Sequence, residues 1–239
     1  MDVMQFTQAL SRIWVLETRL LDKTKVERML EANSADEVLK ILGETEYANI
    51  MGNIKRAADY EEILSTELKR VYKLVYELCP VKEIVDLMST KYKYHNIKVL
   101  LKGKFLEKDL SNMLIDLGRE DLNELKRKID TDNFRDLKGN VEKAVLEVIS
   151  DFEANKDPQK IDIIVDRYMF KELDEIKKSL NYKFTDKLVN AMIDSTNVRT
   201  LLRVKKQGKG REFASEVLVT GWAISKDTLV AIINETPEN

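Results

Sequence analysis

Few side chains in this sequence of 239 residues are of types that do chemistry, and their spacing narrows the options further. His95 is the only histidine, so neither a histidine-based zinc site nor a Ser-His-Asp triad has the material it needs. Cys79 stands alone, cannot form an intramolecular disulfide and is expected to be an inert buried thiol in a reducing compartment. No Gly-x-x-x-x-Gly-Lys-Ser/Thr loop is present to cradle a phosphate, and Gly208-Lys209-Gly210 lacks the third glycine and the preceding strand of a dinucleotide site. Asp162 and Asp166 lie at i, i+4, but among 42 acidic residues such spacings are commonplace and read as a solvated face. The expectation is a chain with no catalytic residues, no metal and no cofactor, and therefore not an enzyme.

The strongest remaining candidates are cations. Lys98, Lys102, Lys104 and Lys108 form one cluster, and Arg199, Arg203, Lys205, Lys206, Lys209 and Arg211 form another. Pairs at i, i+4 such as Lys98 with Lys102, or Arg199 with Arg203, share one helical face while Leu100, Leu101, Leu201 and Leu202 are expected in the core. Three roles stay open for the cations: contact with a partner, a solvated helix side, or neutralisation of a helix C-terminus. Nucleic acid is not expected as a partner, because no aromatic residues interleave the cations for stacking. With 40 basic residues against 42 acidic, the net charge of −2 gives no overall pull toward a polyanion either.

The elements that must position these residues read as helices throughout. Only 8 glycines and 3 prolines interrupt the chain, too few turns for a strand-rich fold, and the hydrophobic fraction of 44% is that of a globular protein. Leu10, Ile13, Trp14, Leu20 and Leu21 fall on one stripe expected to pack. Ser34 to Glu37 reads as a capping box for a helix through Val38, Leu39 and Leu42 that stops at Gly43. A longer helix from about Tyr60 ends before Pro80, and the next carries Val81, Ile84, Val85 and Met88 into Asn96-Ile97-Lys98-Val99-Leu100-Leu101-Lys102, closed by Gly103. Asp157-Pro158 is a helix-start signal, that helix breaks near Asn181, and another runs into Asn197-Val198-Arg199-Thr200-Leu201-Leu202-Arg203. The N-terminal Met1 to Gln5 lacks the pattern of a secretion signal, and the most apolar stretch, Val217 to Ile224, is too short to span a bilayer.

The two heptapeptides share Asn, Leu and Leu, keep their other residues in kind, and stand at an offset of 101 residues that also separates Pro80 from Asn181. A tandem helical repeat is the reading, with repeat markers Asn96, Leu100, Leu101, Asn197, Leu201 and Leu202. It divides the chain into an N-terminal helical segment, 1–57, a first unit, 58–138, a connecting segment, 139–158, and a second unit, 159–239.

Together with Ala9-Leu10-Ser11-Arg12-Ile13-Trp14-Val15-Leu16-Glu17-Thr18-Arg19-Leu20-Leu21, these two marker segments resemble the C subunit of V/A-type rotary ATPases, known in eukaryotes as the d subunit. The resemblance implies an all-α, funnel-like protein of three similar units, of which two are present. It implies a non-catalytic adaptor on the cytoplasmic side of the membrane, one copy per complex, between the proteolipid rotor ring and the central stalk. Membrane contact would come only through the ring, in a complex that couples ATP to proton or sodium transport. The partner-contact candidates are Lys98, Lys102, Lys104, Arg199, Arg203, Lys205 and Lys206, and a missing third unit would leave apolar surface exposed. The alternative is a free-standing helical-repeat scaffold that binds an acidic protein.

Overall fold

A computed structural model describes residues 3–52, 56–117, 119–221 and 223–234 of the chain. Met1, Asp2, Trp222 and residues 235–239, which belong to stretches weighed above, lie outside them. The fold is all-α, with no strand among the described residues. It divides into two compact units, Asp2–Val85 and Asp86–Asn239.

The first unit holds α1 (Thr7–Glu17), α2 (Lys23–Leu30), α3 (Ala35–Leu42), the single turn α4 (Ala48–Met51) and α5 (Tyr60–Leu78). Polar caps set the starts of α2 and α3. The Asp22 carboxylate accepts from the Lys25 amide at 2.8 Å, Ser34 Oγ accepts from Glu37 N, and the Glu37 carboxylate accepts from Asn33 N at 2.9 Å. Proline at 80 ends α5 as expected, with Cys79 in an extended conformation. The Cys79 thiol is half-buried and donates to the Val81 carbonyl. The stripe on α1 differs from the expectation. Trp14 is 64% exposed, and Leu10, Ile13 and Leu20 are exposed too; of this helix only Ala9 is buried.

The second unit begins within α6 (Lys82–Phe105) and continues through α7 (Leu122–Asp130), α8 (Gly139–Asn155), α9 (Pro158–Leu180), α10 (Lys183–Lys206), α11 (Arg211–Val217) and α12 (Lys226–Ala231). The stretch expected to connect the repeats contains α8, whose Val141, Ala144, Val145, Val148 and Phe152 are buried. Lys156 in the left-handed region and Asp157, which caps α9 by accepting from Gln159 N, turn the chain in two residues, so α8 and α9 form a tight antiparallel hairpin. Two polar ties along the hairpin fix its register: Asn140 donates to Glu175 at 2.7 Å and Tyr168 to Glu147 at 2.9 Å.

Helix α9 is the spine of this unit because it is buried on two sides. Its Ile161, Ile164 and Val165 join Tyr94, Ile97 and Leu101 of α6, Ile129 of α7 and the α8 side chains in the largest core cluster. Its Phe170 and Leu173 join Leu87 of α6 with Val189 and Ile193 of α10 in a second. A third cluster packs Leu201 and Val204 of α10 under Ala214, Leu218, Leu229 and Ile233.

Helices α6 and α10 each have 24 residues, and their first and last residues both stand 101 apart. They also end alike. Expected to close the helix, Gly103 instead lies inside α6, which runs on to Phe105. The stop comes from Glu107, which adopts the left-handed conformation, so that Lys108 N donates back to Gly103 O at 3.0 Å. A side chain at 103 would meet the Lys108 carbonyl at 3.0 Å. In α10 the same closure uses Gly208 in the left-handed region, with Lys209 N donating to Val204 O at 3.1 Å. The Gly208-Lys209-Gly210 sequence is therefore a helix stop.

Because Ile129 is fully buried in the largest cluster, Ile129→Ala is expected to destabilise the chain by about 2–5 kcal/mol, measured by urea denaturation followed by circular dichroism.

Candidate functional site

The repeat markers are structural ties of one kind. Asn96 is buried on α6, where its Nδ2 donates to Ile115 O at 2.7 Å and its Oδ1 accepts from Ile115 N at 2.8 Å. Asn197 is buried on α10 and does the same to Val219, at 2.7 and 3.0 Å. A primary amide carries donor and acceptor side by side, so it can hold both backbone groups of one residue in a segment that has no other secondary structure. Beyond each tie the chain forms one short helix, capped by Asp121 in α7 and by Ser225 in α12. A lysine then clasps the far end of each: Lys104 Nζ donates to Ile129 O at 2.7 Å and Lys205 Nζ to Ile232 O at 3.1 Å. Near the second tie, Gly221 is required, since a Cβ there would come within 2.5 Å of Asp194 Oδ1 and Ile224 O.

The cations separate into two groups. Lys98 pairs with Asp166 at 2.7 Å and Lys102 with Asp162 at 2.6 Å, two rungs between α6 and α9. Asp162 and Asp166, read from spacing as a solvated face, are thus matched to two lysines of the same i, i+4 spacing. A third rung extends the ladder, where the Tyr94 hydroxyl donates to Glu172 at 2.6 Å and Lys93 pairs with the same carboxylate. Burial and the adjacent Glu172 charge push the Tyr94 phenol well above its ordinary pKa, so it stays a neutral donor. Beneath the rungs Tyr94, Ile97 and Leu101 are fully buried, and Phe105 stacks on Phe152 at 4.4 Å between centroids. Lys104 also pairs with Asp132.

The equivalent face of α10 is bare. Arg199 folds back onto Ser195 of its own helix at 3.3 Å, and the side chains of Arg203 and Lys206 make no hydrogen bond or ion pair among the described residues. Leu202, expected in the core with Leu100, Leu101 and Leu201, is 61% exposed, and Val198 is 38% exposed. The other three leucines are buried. Arg203 also lines an open cleft of about 620 Å³ between α9, α10 and α11, together with Asp162, Asp166, Thr200 and Phe213. His95 is half-buried, with Nε2 2.9 Å from the Met113 carbonyl. Among the described residues no three His, Cys, Asp or Glu side chains gather as a metal site, and no helix is long and apolar enough to cross a membrane.

Residues 9–239 match the family described as ATP synthase (C/AC39) subunit. The chain is 30% identical over 218 residues to the C subunit of the V-type sodium ATPase of Enterococcus hirae, covering 91% of this chain and 66% of that protein. It is 22% identical over 244 residues to the C subunit of the A-type ATP synthase of Methanocaldococcus jannaschii, covering 94% and 60%. With the corresponding protein of Pyrococcus abyssi it shares 24% over 239 residues, covering 94% and 63%. The chain thus spans 60–66% of the length of these relatives.

Three outcomes follow from the geometry. Asn197→Ala strips both backbone groups of Val219 of their partner and is expected to cost about 2–4 kcal/mol in urea unfolding. Asn197→Asp keeps the acceptor but sets a carboxylate against the Val219 carbonyl, so it does not restore stability. A double-mutant cycle on Lys98 and Asp166 is expected to give a coupling of only about 0.5–1 kcal/mol that shrinks with added salt, since both side chains are part-exposed.

Proposed function

The chain belongs to the ATP synthase (C/AC39) subunit family, and from that premise we propose that it is a non-catalytic adaptor of a V/A-type rotary ATPase. It joins the membrane rotor ring to the central stalk, on the cytoplasmic side, during ATP-linked proton or sodium transport. The observation that carries this reading is the family match over residues 9–239. The physical character of the chain is in keeping with it. An adaptor under torque needs helices locked to one another, and α6, α9 and α10 are held by shared apolar clusters and a ladder of ion pairs, while two buried amides tie α6 and α10 to their return loops.

Of the seven cations proposed as contacts, Lys98, Lys102, Lys104 and Lys205 are engaged within the chain, whereas Arg199, Arg203 and Lys206 face outward. We assign the contact role to the outward group. An exposed cation meets a partner without first breaking an internal pair, and its long stem covers apolar neighbours such as Leu202.

Affinity recovery of the tagged chain from detergent-solubilised membranes of its native host is the deciding experiment. The expected result is co-recovery of ring, stalk and catalytic-head proteins, with no ATP turnover by the purified chain alone. Recovery of an unrelated acidic protein with no ATPase component would replace this reading by that of a free-standing scaffold.

A further inference from the structure

Helices α9 and α10 are joined at Asn181 and share a core cluster near that end, where Phe170 and Leu173 meet Val189 and Ile193. Farther along they part. Ile161, Ile164 and Val165 turn α9 into the cluster with α6 and α8, whereas Leu201 and Val204 carry α10 under α11 and α12. The open cleft of about 620 Å³ lies where the two helices diverge, with α11 and the chain from Leu218 to Thr220 as its third wall. Its α10 wall runs from Thr196 through Thr200 and Arg203 to Gln207, a helical face about 16 Å long. Buried Phe170, Val204 and Leu218 form the apolar part of the lining, and half-buried Phe213 extends it.

The charges in this cleft are unevenly matched. Asp162 and Asp166 are taken by Lys102 and Lys98, Glu216 by Lys160, and Arg167 by Glu147. The side chains of Arg203 and Lys226 make no hydrogen bond or ion pair among the described residues, so the cleft keeps two uncompensated positive charges. Lys226 is half-buried, where an ammonium without a counter-charge is costlier than at an open surface. The hydroxyls of Thr196 and Thr200 and the side-chain amides of Gln159 and Gln207 also lack partners among the described residues.

We propose that this cleft binds a short extended peptide segment with two carboxylate side chains, one received by Arg203 and the other by Lys226, and an apolar side chain set against Phe170 and Phe213. A wall of about 16 Å accommodates roughly five residues of extended chain. The unpaired hydroxyls and amides supply both donors and acceptors for the backbone of such a segment, which a helix would keep to itself. Carboxylates fit better than phosphates. Asp162, Asp166 and Glu216 are neutralised but still present acceptor oxygens to the cleft, and these repel a multiply charged phosphate more strongly than a singly charged carboxylate. Arginine offers its carboxylate a planar, bidentate fork, and Lys226 offers the second a point charge. The proposal extends the contact role given above to Arg203, adding Lys226, the cleft between them and the chemistry of its occupant.

The probe is a panel of peptides roughly six residues long, with two aspartates at every spacing in a leucine and alanine background, each paired with a counterpart in which lysines replace the aspartates. Carrying an uncharged fluorophore, they are titrated with the full chain in fluorescence anisotropy. Expected results are saturable binding of at least one aspartate peptide and of no lysine counterpart, with slowed hydrogen exchange across 196–207 in the complex. Arg203→Glu with Lys226→Glu should weaken that binding roughly tenfold or more, and added salt should weaken it in the parent chain. The same charge change at Lys143 and Lys187, exposed outside the cleft, should leave it unaltered. The urea midpoint of the Arg203 and Lys226 double variant should not fall, because neither side chain is paired in the chain itself. Failure of the whole panel, or binding indifferent to Arg203 and Lys226, overturns the proposal. So does binding of inorganic pyrophosphate through these two residues while no peptide binds, which would make the cleft a phosphate site. These measurements use no other ATPase component, so their failure and a failed co-recovery are told apart.

Discussion

The long helices α6 and α10 are each tied to a returning loop by one buried amide. An extended loop that returns to a long helix carries backbone groups that neither helix nor sheet can satisfy, and a buried unsatisfied group is costly. Asn96 and Asn197 answer that constraint by pairing with both the N–H and the C=O of Ile115 and Val219. With the loop pinned, the short helices α7 and α12 are aimed back at α6 and α10, where Lys104 and Lys205 seize their terminal carbonyls. The apolar clusters under these elements pack against a return path fixed in this way.

The second constraint is the burial of α9 on two sides. One helix side packs on α6 through a core cluster with two lysine–aspartate rungs and a tyrosine–glutamate rung at its border, and another packs on α10 through Phe170 and Leu173. Half-exposed ion pairs add little energy, but they favour this register, because a slip by one turn would leave only one of the two lysines opposite an aspartate. Repeat proteins gain most of their stability from such neighbour interfaces. Helix α10 also shows a face for which the rest of the described chain supplies no cover.

Membership of the ATP synthase (C/AC39) subunit family and this architecture fit together physically. The cleft between α9, α10 and α11 near the second marker is open and lined by residues of mixed polarity. The chain's chemistry is accordingly spent on ties, clasps and rungs. In the first unit, the exposed Trp14 and Leu20 contrast with the few buried side chains there, Ala9, Ile41, Ile50 and Ile63 among them.

Much of the fold was legible from the sequence, because local signals act locally. Ser34, Asp157 and Pro80 set helix ends through backbone groups within a few residues of themselves, and the offset of 101 between the markers is the offset between α6 and α10. The all-α class and the resemblance to the C subunit of rotary ATPases were also legible. Other features needed the tertiary structure. The helix stop at Glu107, rather than Gly103, depends on the Lys108 amide folding back onto the helix. Lys98 and Arg199 are alike in sequence, and so are Leu101 and Leu202, yet one of each pair is engaged and the other exposed. Periodicity reports which residues share a face of a helix; whether that face meets water or another helix depends on partners 60 to 68 residues away, such as Asp162 and Asp166, and only the fold brings those into reach.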